Sequence, residues 1–456
     1  MSVGAIAGLG ALNLTLLIVG AAALYALRGL RSWNEAVRLA GVAYMLGVAL
    51  CGVVFVFELV VDLPFSLGAI LVTEVVLALA AVVIGWGLGR PRPTGRLSLP
   101  RLSALSVAFS AFFILYCEAL FRSGRLAGLY EFDGWAFWVP KAKAIYFFGG
   151  LDHQFFAELP GPSYPPLVPG FEAAAFHFMG SPDVVTLHLQ FWFFLVGFVT
   201  AVAGLLSVRV SPVFLWPPLL LLLATPHVVQ YALQAEGDFV LDELLALAAL
   251  FIALWLVERK GWHLGAATIL LAAAMSTKRE GYLVAACIIL AALAASGTAR
   301  RSVWPSLVLV AVIAVVLTIP WRVLLAVRGL PRGGPEAGGT GLLSHLDRAW
   351  PSFRLALSTL FDFNIWLLVA PLGLLAIAVA LIANAQPVGL YTLVLFALAI
   401  VAFTWTTWAF PSLPITKDPA LNPMPRLTGS LVFAMTALLP VLLAGSWRHG
   451  ARRTGR

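Results

Sequence analysis

The first residue of this sequence that could do chemistry is Asp133, in the segment FDGWAFWVPKAKAIY. It follows a long apolar stretch and is flanked by bulky aromatic side chains. A carboxylate held partly out of water either has a raised pKa or attracts a cation, and both situations suit a general base. The alternative is an N-cap, a position that Asp favours, for a helix beginning near Trp135. The two roles are compatible, so Asp133 is the first candidate catalytic residue.

Cations that could hold an anion are found in two other places. Lys278 and Arg279 lie beside Glu280 in the stretch STKREG, between two short apolar runs, and Arg426 directly precedes the last apolar run. Arg binds a phosphate through its forked guanidinium and Lys binds it as a point charge. The alternatives are mutual ion pairing within STKREG and, for Arg426, simple anchoring at the membrane interface. These three cations are the candidate phosphate ligands.

Acidic residues begin another apolar run. Glu236 and Asp238 flank a glycine where a helix is expected to start, so helix-dipole compensation is the alternative to substrate binding. Asp242 and Glu243 follow one turn later, inside the apolar run. Acids at such depth default to a functional role or a buried partner.

Further candidates lie in the polar but half-aromatic interruption Tyr130–Pro169. Its aromatic content predicts a re-entrant or surface-lying segment at the bilayer interface, not a solvated loop. For Lys141 the alternative is a lysine that snorkels to the interface. By contrast, His177, His188 and His227 are scattered without metal-ligand spacing and are predicted to be packing residues. The candidate supporting or substrate-binding residues of the interruption are Glu131, Trp135, Trp138, Lys141 and Tyr164.

The composition predicts what kind of protein must position these residues. The chain has 456 residues, is 61% hydrophobic and is only 11% charged, with a mean hydropathy of +0.96. These values are typical of an all-α polytopic membrane protein. The net charge of +8 has no soluble basic module to carry it, which excludes nucleic acid as a partner. No P-loop, GxGxxG or CxxC motif supports ATP-driven transport or a nicotinamide cofactor.

Thirteen apolar runs predict about 13 transmembrane helices in a single domain, residues 1–456. Two of the runs are short for a full crossing of about 20 residues and are predicted to form a helical hairpin turning at 276–281. Broken helices of this kind build polar sites in membranes. The runs are 4–27, 39–61, 65–89, 103–121, 184–206, 212–232, 239–257, 264–276, 281–296, 303–323, 365–383, 388–410 and 427–446.

Loop charges predict the orientation. Alternate loops hold 16 of the 29 basic residues, so the positive-inside rule makes those loops cytoplasmic, with the N-terminus outside and the C-terminus inside. All polar clusters described above then share the outer face, which favours a single site. Two large outer loops are predicted, a catalytic loop at 122–183 with a helix over 134–149, and a candidate acceptor-binding loop at 324–364. The latter contains a Gly/Pro-rich stretch at 328–341 and an amphipathic helix over His345–Leu360.

The order of these motifs resembles that of a known family. FDGWAFWVPKAKAIY, SYPPLVP, AEGD and STKREG follow one another, and Arg426 precedes the last run. This pattern resembles the GT-C glycosyltransferases, which take a sugar from a polyprenyl-phosphate donor. It looks most like their bacterial branch, akin to protein mannosyltransferases and the aminoarabinose transferase of lipid A. The similarity covers most of the chain in topology but only short pieces in residues.

The resemblance implies a GT-C-like fold and a mechanism. Asp133 would deprotonate an acceptor hydroxyl, which attacks the anomeric carbon, inverts its configuration and expels polyprenyl phosphate. Lys278, Arg279 and Arg426 would hold the donor phosphate. Two features depart from the family pattern: Glu131 precedes the acid by two positions where many relatives have an adjacent Asp-Glu pair, and Arg279 stands where Asn is common.

The implied partners are a polyprenyl-phosphate-linked sugar, an acceptor hydroxyl on a glycan, lipid or protein, and the lipid bilayer. No cofactor and no metal are predicted, because three cations can neutralise the phosphate; a divalent cation held by Glu131, Asp133 and Asp238 is the alternative. High Ala, Arg and Gly usage favours a bacterial plasma membrane. The competing function is a transporter or flippase for a lipid-linked or anionic substrate, which would distribute its charges through the membrane midplane.

Overall fold

The computed structural model describes residues 1–98, 103–126, 128–129, 131–297, 300–329, 345–383, 387–410, 413–418 and 421–453. Within these ranges the side chains of 300–302 and 445–453 are not described. Most of the Gly/Pro-rich stretch predicted at 328–341 therefore lies outside the described residues, as do 330–344 of the candidate acceptor-binding loop.

Helices are the regular elements of the described residues, which contain one isolated bridge between Ser32 and Thr94 and no β-strand. The first helices are α1 (Val3–Arg28), α2 (Trp33–Arg38), α3 (Ala40–Val60), α4 (Leu67–Gly87), α5 (Ala104–Gly124), α6 (Val139–Phe148), α7 (His153–Glu158), α8 (Leu167–Met179), α9 (Val184–Leu206), α10 (Pro212–Ala224) and α11 (Pro226–Tyr231). The remaining helices are α12 (Gly237–Glu258), α13 (Gly261–Met275), α14 (Glu280–Ala295), α15 (Arg300–Val316), α16 (Ile319–Val327), α17 (Ala349–Leu360), α18 (Phe363–Trp366), α19 (Val369–Ile382), α20 (Val388–Ala409) and α21 (Met424–Arg453).

The prediction of an all-α polytopic membrane protein is confirmed. In the described part of the chain, nine helical segments are long and apolar enough to cross a bilayer: α1, α3, α4, α5, α9, α12, the α15–α16 pair, α20 and α21. The other four predicted runs correspond to the shorter apolar helices α10, α13, α14 and α19. These four contain 13 to 16 residues, fewer than the roughly 20 of a full crossing.

Helix α12 is the central element of the bundle. Of the residues in its most apolar window, 94% are buried, and α13, α14, α20 and α21 pack around it. At 1.5 Å per residue its 22 residues span about 33 Å, which separates its acidic N-terminus from Glu258 at the other end. At that second end, Glu258 pairs with Arg209 at 2.5 Å and Lys260 at 2.6 Å. The charged residues at the two ends of α12 therefore lie on opposite sides of the bundle. The side at the N-terminus of α12, with Asp238, is named the acidic face, and the side with Glu258, Arg209 and Lys260 is named the basic face.

The described residues between α5 and α9 form a π-helical turn and the helices α6, α7 and α8, which are joined by turns. A π-helical turn, Gly134–Trp138, continues directly into α6. Trp138 and Ile145 are 1% and 0% exposed, whereas Trp135 is 52% exposed. The segment thus buries one side against the bundle and leaves Trp135 on the outside, where an interfacial tryptophan is expected.

The predicted helical hairpin is confirmed. Helix α13 ends at Met275, α14 begins at Glu280, and the turn between them carries Lys278. The two helices approach so closely that a Cβ on Gly281 would lie 2.7 Å from the carbonyl carbon of Ala274 and closer still to its oxygen. Glycine at this position therefore fixes the crossing that presents the turn.

Two details differ from the sequence prediction. The run predicted at 303–323 is interrupted between α15 and α16, near Pro320, and continues to Val327, so part of the predicted 324–364 loop is helix. The helix predicted over His345–Leu360 is present as a 3-10 turn followed by α17, but its buried side includes Leu355 and Leu360. Of the apolar residues at helical spacing, Leu346 and Trp350 are exposed, whereas Phe353 and Leu357 are partly buried against the bundle.

We expect Gly281→Ala to destabilise the protein by about 1–3 kcal/mol, because the added methyl group must force the α13–α14 crossing apart. Gly261→Ala, at the start of α13, is the matched control, since nothing lies within 4 Å of a Cβ there. The measurement is the thermal unfolding midpoint of both variants in detergent. Equal midpoints for the two variants would contradict the close crossing.

Candidate functional site

Asp133 forms an ion pair with Arg426. Its backbone is already helical, with φ −64° and ψ −36°, and its carboxylate makes no capping hydrogen bond. The N-cap interpretation is therefore wrong. The carboxylate Oδ2 instead accepts a hydrogen bond from Nη1 of Arg426, which lies 293 residues further along the chain. The first turn of α21 thus brings its arginine to the π-helical segment.

A second acid–cation pair lies beside the first. Nζ of Lys278 donates to Oδ1 of Asp238 at 2.8 Å, and the two side chains are only 10% and 14% exposed. Burial alone would lower the pKa of Lys278, but the nearby acids Asp238 and Glu280 raise it well above its usual value. Lys278 is therefore a permanent cation, held at the N-terminus of α12 by the hairpin turn.

Glu236 completes an acidic trio with Asp133 and Asp238. One carboxylate oxygen of each lies within 4.8 Å of the others. Three acids against the two cations Lys278 and Arg426 leave one formal negative charge. Burial, together with the charges of Asp238 and Asp133, raises the pKa of Glu236 to about 8. A proton on Glu236 at neutral pH therefore balances the cluster.

The two ion pairs line one cavity of about 210 Å³. It brings together residues from the segment after α5 and from α12, α14, α20 and α21, which are distant in the sequence. The lining consists of the charged residues Asp133, Asp238, Lys278, Glu280 and Arg426, the aromatic residues Phe137, Trp138 and Tyr164, and Thr406, Leu413, Pro423 and Leu427.

The aromatic wall of the cavity is packed tightly. Trp138 is 1% exposed, and its ring lies 6.0 Å from that of Tyr164 and 5.9 Å from Nζ of Lys278. A Cβ on Gly237 would be 2.8 Å from the Trp138 ring, so glycine is required at the start of α12. The charge of Glu280, with burial, raises the pKa of Tyr164 to about 12, so its phenol remains a hydrogen-bond donor at neutral pH.

Lys141 does not snorkel to the interface. It is fully buried, its Nζ donates to the carbonyl of Gly161 at 2.7 Å, and it lies 3.9 Å from the centroid of the Phe137 ring. Burial, with a smaller contribution from Lys278, lowers the pKa of Lys141 to about 7. Lys141 therefore supports the wall behind Phe137 and does not line the cavity.

Apart from Glu236, three other predicted residues lie outside the cavity lining. The guanidinium of Arg279 donates to Ser163 Oγ and lies 5.7 Å from the centroid of the Tyr164 ring. The charge of Glu131 lies near the phenol of Tyr231. Trp135 contacts Phe132 on the exposed side of the π-helical turn. The structure thus places these residues around the cavity wall.

Both acids inside α12, Asp242 and Glu243, are buried, and Asp242 lies against the last helix, α21. Asp242 accepts a hydrogen bond from Ser430 Oγ at 2.5 Å, and Gly429 leaves room for that carboxylate. Glu243 is 0% exposed, and neither of its carboxylate oxygens has a hydrogen-bond partner among the described residues.

A neighbouring cavity of about 430 Å³ was not anticipated from the sequence. It shares Arg426 with the first cavity, and His227 stacks on Tyr231 at one side of it, with ring centroids 4.1 Å apart. His227 was predicted to be a packing residue, and it does pack, but it also lines this cavity. The other lining residues are Pro226, Gln230, Ser358, Thr359, Asp362, Asn364, Ile365, Lys417, Asn422 and Pro425.

The acidic trio is the described cluster with metal-like geometry. The sequence offered Glu131, Asp133 and Asp238 as possible ligands of a divalent cation. The trio contains Asp133 and Asp238, but its third member is Glu236 and not Glu131. Oxygen ligands of this kind suit hard cations such as Mg²⁺ or Ca²⁺. Lys278 and Arg426 already supply two positive charges at the same place, so the residues fit either a metal-free site or one that exchanges a proton for a cation.

A scan against protein-family models, a search of curated proteins and a search of solved structures each gave no significant match. The resemblance to the GT-C glycosyltransferases therefore depends on the sequence motifs alone.

We expect Lys278→Met to lower the free energy of unfolding by about 3–5 kcal/mol, because it leaves Asp238 buried without its cation. Asp238→Asn in the same chain should restore most of that loss by removing the unpaired charge. Unfolding of both single variants and the double variant in detergent gives the coupling energy. Additive losses would show that the pair is not coupled.

The protonation of Glu236 predicts a pH dependence. Its pKa is about 8 in the folded state against a reference value of 4.5, so between these values the folded protein retains a proton that the unfolded chain has released. Its contribution to stability is thus fully present below pH 4.5 and is lost as the pH rises through 8. Glu236→Gln should flatten this fall in unfolding midpoint, measured from pH 5 to 8.5. Glu131→Gln is the control, and parallel profiles for wild type and Glu236→Gln would refute the assignment.

Proposed function

We propose that the protein is an inverting membrane glycosyltransferase of the GT-C type, which moves a sugar from a polyprenyl-phosphate donor to an acceptor hydroxyl. Asp133 takes the proton of that hydroxyl, and the oxygen of the acceptor hydroxyl forms a bond to the anomeric carbon. The bond between this carbon and the phosphate oxygen breaks, and polyprenyl phosphate leaves with the electron pair. No cofactor is required for this step.

One observation carries the proposal. Asp133 pairs with Arg426, which is 293 residues away in the sequence, and Asp238 pairs with Lys278, which is 40 residues away. Both pairs line one small cavity at the acidic face. A purely structural ion pair has no need of a cavity beside it. A phosphate-bearing substrate needs cations and a base within a few ångströms of one another.

The two cations of the cavity suit a phosphate donor, whose negative charge increases during the reaction. A sugar polyprenyl diester carries one negative charge, and the departing monoester carries up to two. Lys278 and Arg426 would stabilise the charge that develops on the leaving oxygen. A phosphate would compete with Asp238 and Asp133 for these cations, so its binding would release Asp133 to act as the base.

Other residues have roles in this proposal. The aromatic wall of Phe137, Trp138 and Tyr164 supplies an apolar face for a sugar ring, and the Tyr164 phenol and Glu280 supply a donor and an acceptor for its hydroxyls. Arg279, expected as a third phosphate ligand, instead supports Tyr164.

The adjoining cavity is the candidate acceptor site. It opens beside Arg426 and is lined by hydroxyl, amide and imidazole groups that can bind a polar acceptor. Its lining includes Ser358, Thr359, Asp362 and Asn364. These belong to the 324–364 region to which the sequence assigned acceptor binding.

The finer topology belongs to the same proposal. Thirteen crossings, with the acidic face outside a bacterial plasma membrane and the basic face in the cytoplasm, satisfy the positive-inside rule. The four short apolar helices would then be crossings that are completed by irregular chain, which membranes tolerate where protein or a cavity surrounds it.

The second candidate function is a transporter or flippase for a lipid-linked or anionic substrate. Asp242 and Glu243 favour it, because both lie inside the central helix below the cavity and Glu243 is buried without a hydrogen-bond partner among the described residues. Such acids mark ion or proton pathways in many transporters.

We expect Asp133→Asn to reduce sugar transfer at least about 100-fold, since it removes the general base. The assay uses purified protein, radiolabelled polyprenyl-phosphate sugars and envelope lipids or glycans as acceptors. Asp152→Asn is the matched control, because Asp152 caps α7 through the Phe155 N–H in the same region of the chain. Unfolding midpoints of both variants separate lost chemistry from lost structure.

Unchanged transfer by Asp133→Asn would remove this residue as the base. No transfer by wild type with any donor, together with movement of labelled lipid across reconstituted vesicles, would establish the second candidate instead.

A further inference from the structure

The basic face contains a cavity larger than either cavity at the acidic face. Its volume is about 990 Å³, against about 210 and 430 Å³. It lies between α1, α4 and α13, with Leu50 of α3 at its base. The proposed glycosyl transfer uses none of these residues.

One end of this cavity is strongly cationic. Arg28, Arg31, Arg90 and Lys260 line it, and its lining contains no acid. These cations come from three separate segments of the chain. Their convergence therefore differs from a single run of basic residues at a helix end.

Two of the four cations are not paired through their side chains with any acid that the structure describes, although the backbone N–H of Arg31 donates to Oε2 of Glu35. Arg28 pairs with Glu35 at 2.6 Å and Lys260 pairs with Glu258 at 2.6 Å. Nε of Arg90, however, donates only to a backbone carbonyl, that of Ala26, at 3.0 Å. Within the described ranges, neither Arg31 nor Arg90 forms a salt bridge with an acidic side chain. An anion of one or two charges would complete the balance.

The rest of the cavity is apolar and faces the bilayer. Small residues of α1 and α4, such as Ala23 and Ala80, form its walls, and Ile269 of α13 lies at depth. The eight helical steps of 1.5 Å from Gly261 to Ile269 place that depth about 12 Å below the charges. Helix α4 has only 17% of its apolar window buried, so it faces lipid. The cavity is therefore an acyl-sized groove beneath a cationic end.

We propose that this cavity binds an anionic phospholipid, with the phosphate held by Arg31 and Arg90 and one acyl chain lying along the groove. A soluble phosphate would satisfy the cations but leave the apolar groove empty. A zwitterionic lipid would fill the groove but add no net charge to balance the cations. The anionic lipid satisfies both observations, and the proposal is independent of what the acidic face does.

Lipid binding to the purified full-length protein tests this proposal. Native mass spectrometry of the detergent-solubilised protein would be titrated with phosphatidylglycerol and, separately, with phosphatidylcholine of the same chains. We expect at least a tenfold preference for phosphatidylglycerol in the first bound lipid. Arg31→Gln combined with Arg90→Gln should abolish that preference. Arg92→Gln is the matched control, because Arg92 lies on the Trp86 ring, outside the cavity, and should leave the preference unchanged.

A second variant tests the groove without changing charge. Ala80→Trp should fill the groove and weaken phosphatidylglycerol binding to the same degree as the double arginine variant. Glycerophosphoglycerol has the headgroup but no chains, so it should not compete with phosphatidylglycerol for the wild-type protein. Equal binding of the two lipids, or an unaltered preference in the double arginine variant, would overturn the proposal. Effective competition by glycerophosphoglycerol would also overturn it, in favour of a soluble phosphate compound.

Discussion

The need to pair buried charge dominates this structure. Five ionisable side chains, Asp133, Glu236, Asp238, Lys278 and Arg426, meet where the central helix begins. An ion taken from water into a protein costs several kcal/mol unless partners compensate it. No single segment of the chain contains enough opposite charge to do this. Four separate segments must therefore converge, and their convergence determines how the helices around α12 are arranged.

The local sequence serves this convergence. The helices α13 and α14 are too short for ordinary crossings, and their turn holds Lys278 at the level of the α12 N-terminus. Glycines are placed where backbones must approach, at Gly237 against Trp138 and at Gly281 against Ala274. The proton on Glu236 provides the remaining neutrality. A membrane protein can thus keep a compact charged cluster while most of its surface remains apolar.

The helical class, the hairpin and the meeting of Asp133, Lys278 and Arg426 could be predicted from the sequence. Composition and run length report burial in lipid directly, and intramembrane charges attract one another. The burial of Lys141 could not be predicted, because an interfacial lysine and a buried lysine occupy the same sequence pattern. The sequence predicted Glu131 in the acidic trio, where the structure has Glu236, and the reason is the same. Both acids lie at loop ends, and the sequence pattern does not show which carboxylate faces inward.

The separation of Arg426 from Asp133 by 293 residues has a consequence for biogenesis. While the chain is being synthesised, Asp133 emerges long before Arg426. Until then the three carboxylates of the acidic trio have only Lys278 as a nearby cation of the cluster. The bundle can reach its native electrostatics only when α21 inserts. A molecule that lacked α21 would therefore leave the Asp133 carboxylate without its arginine partner.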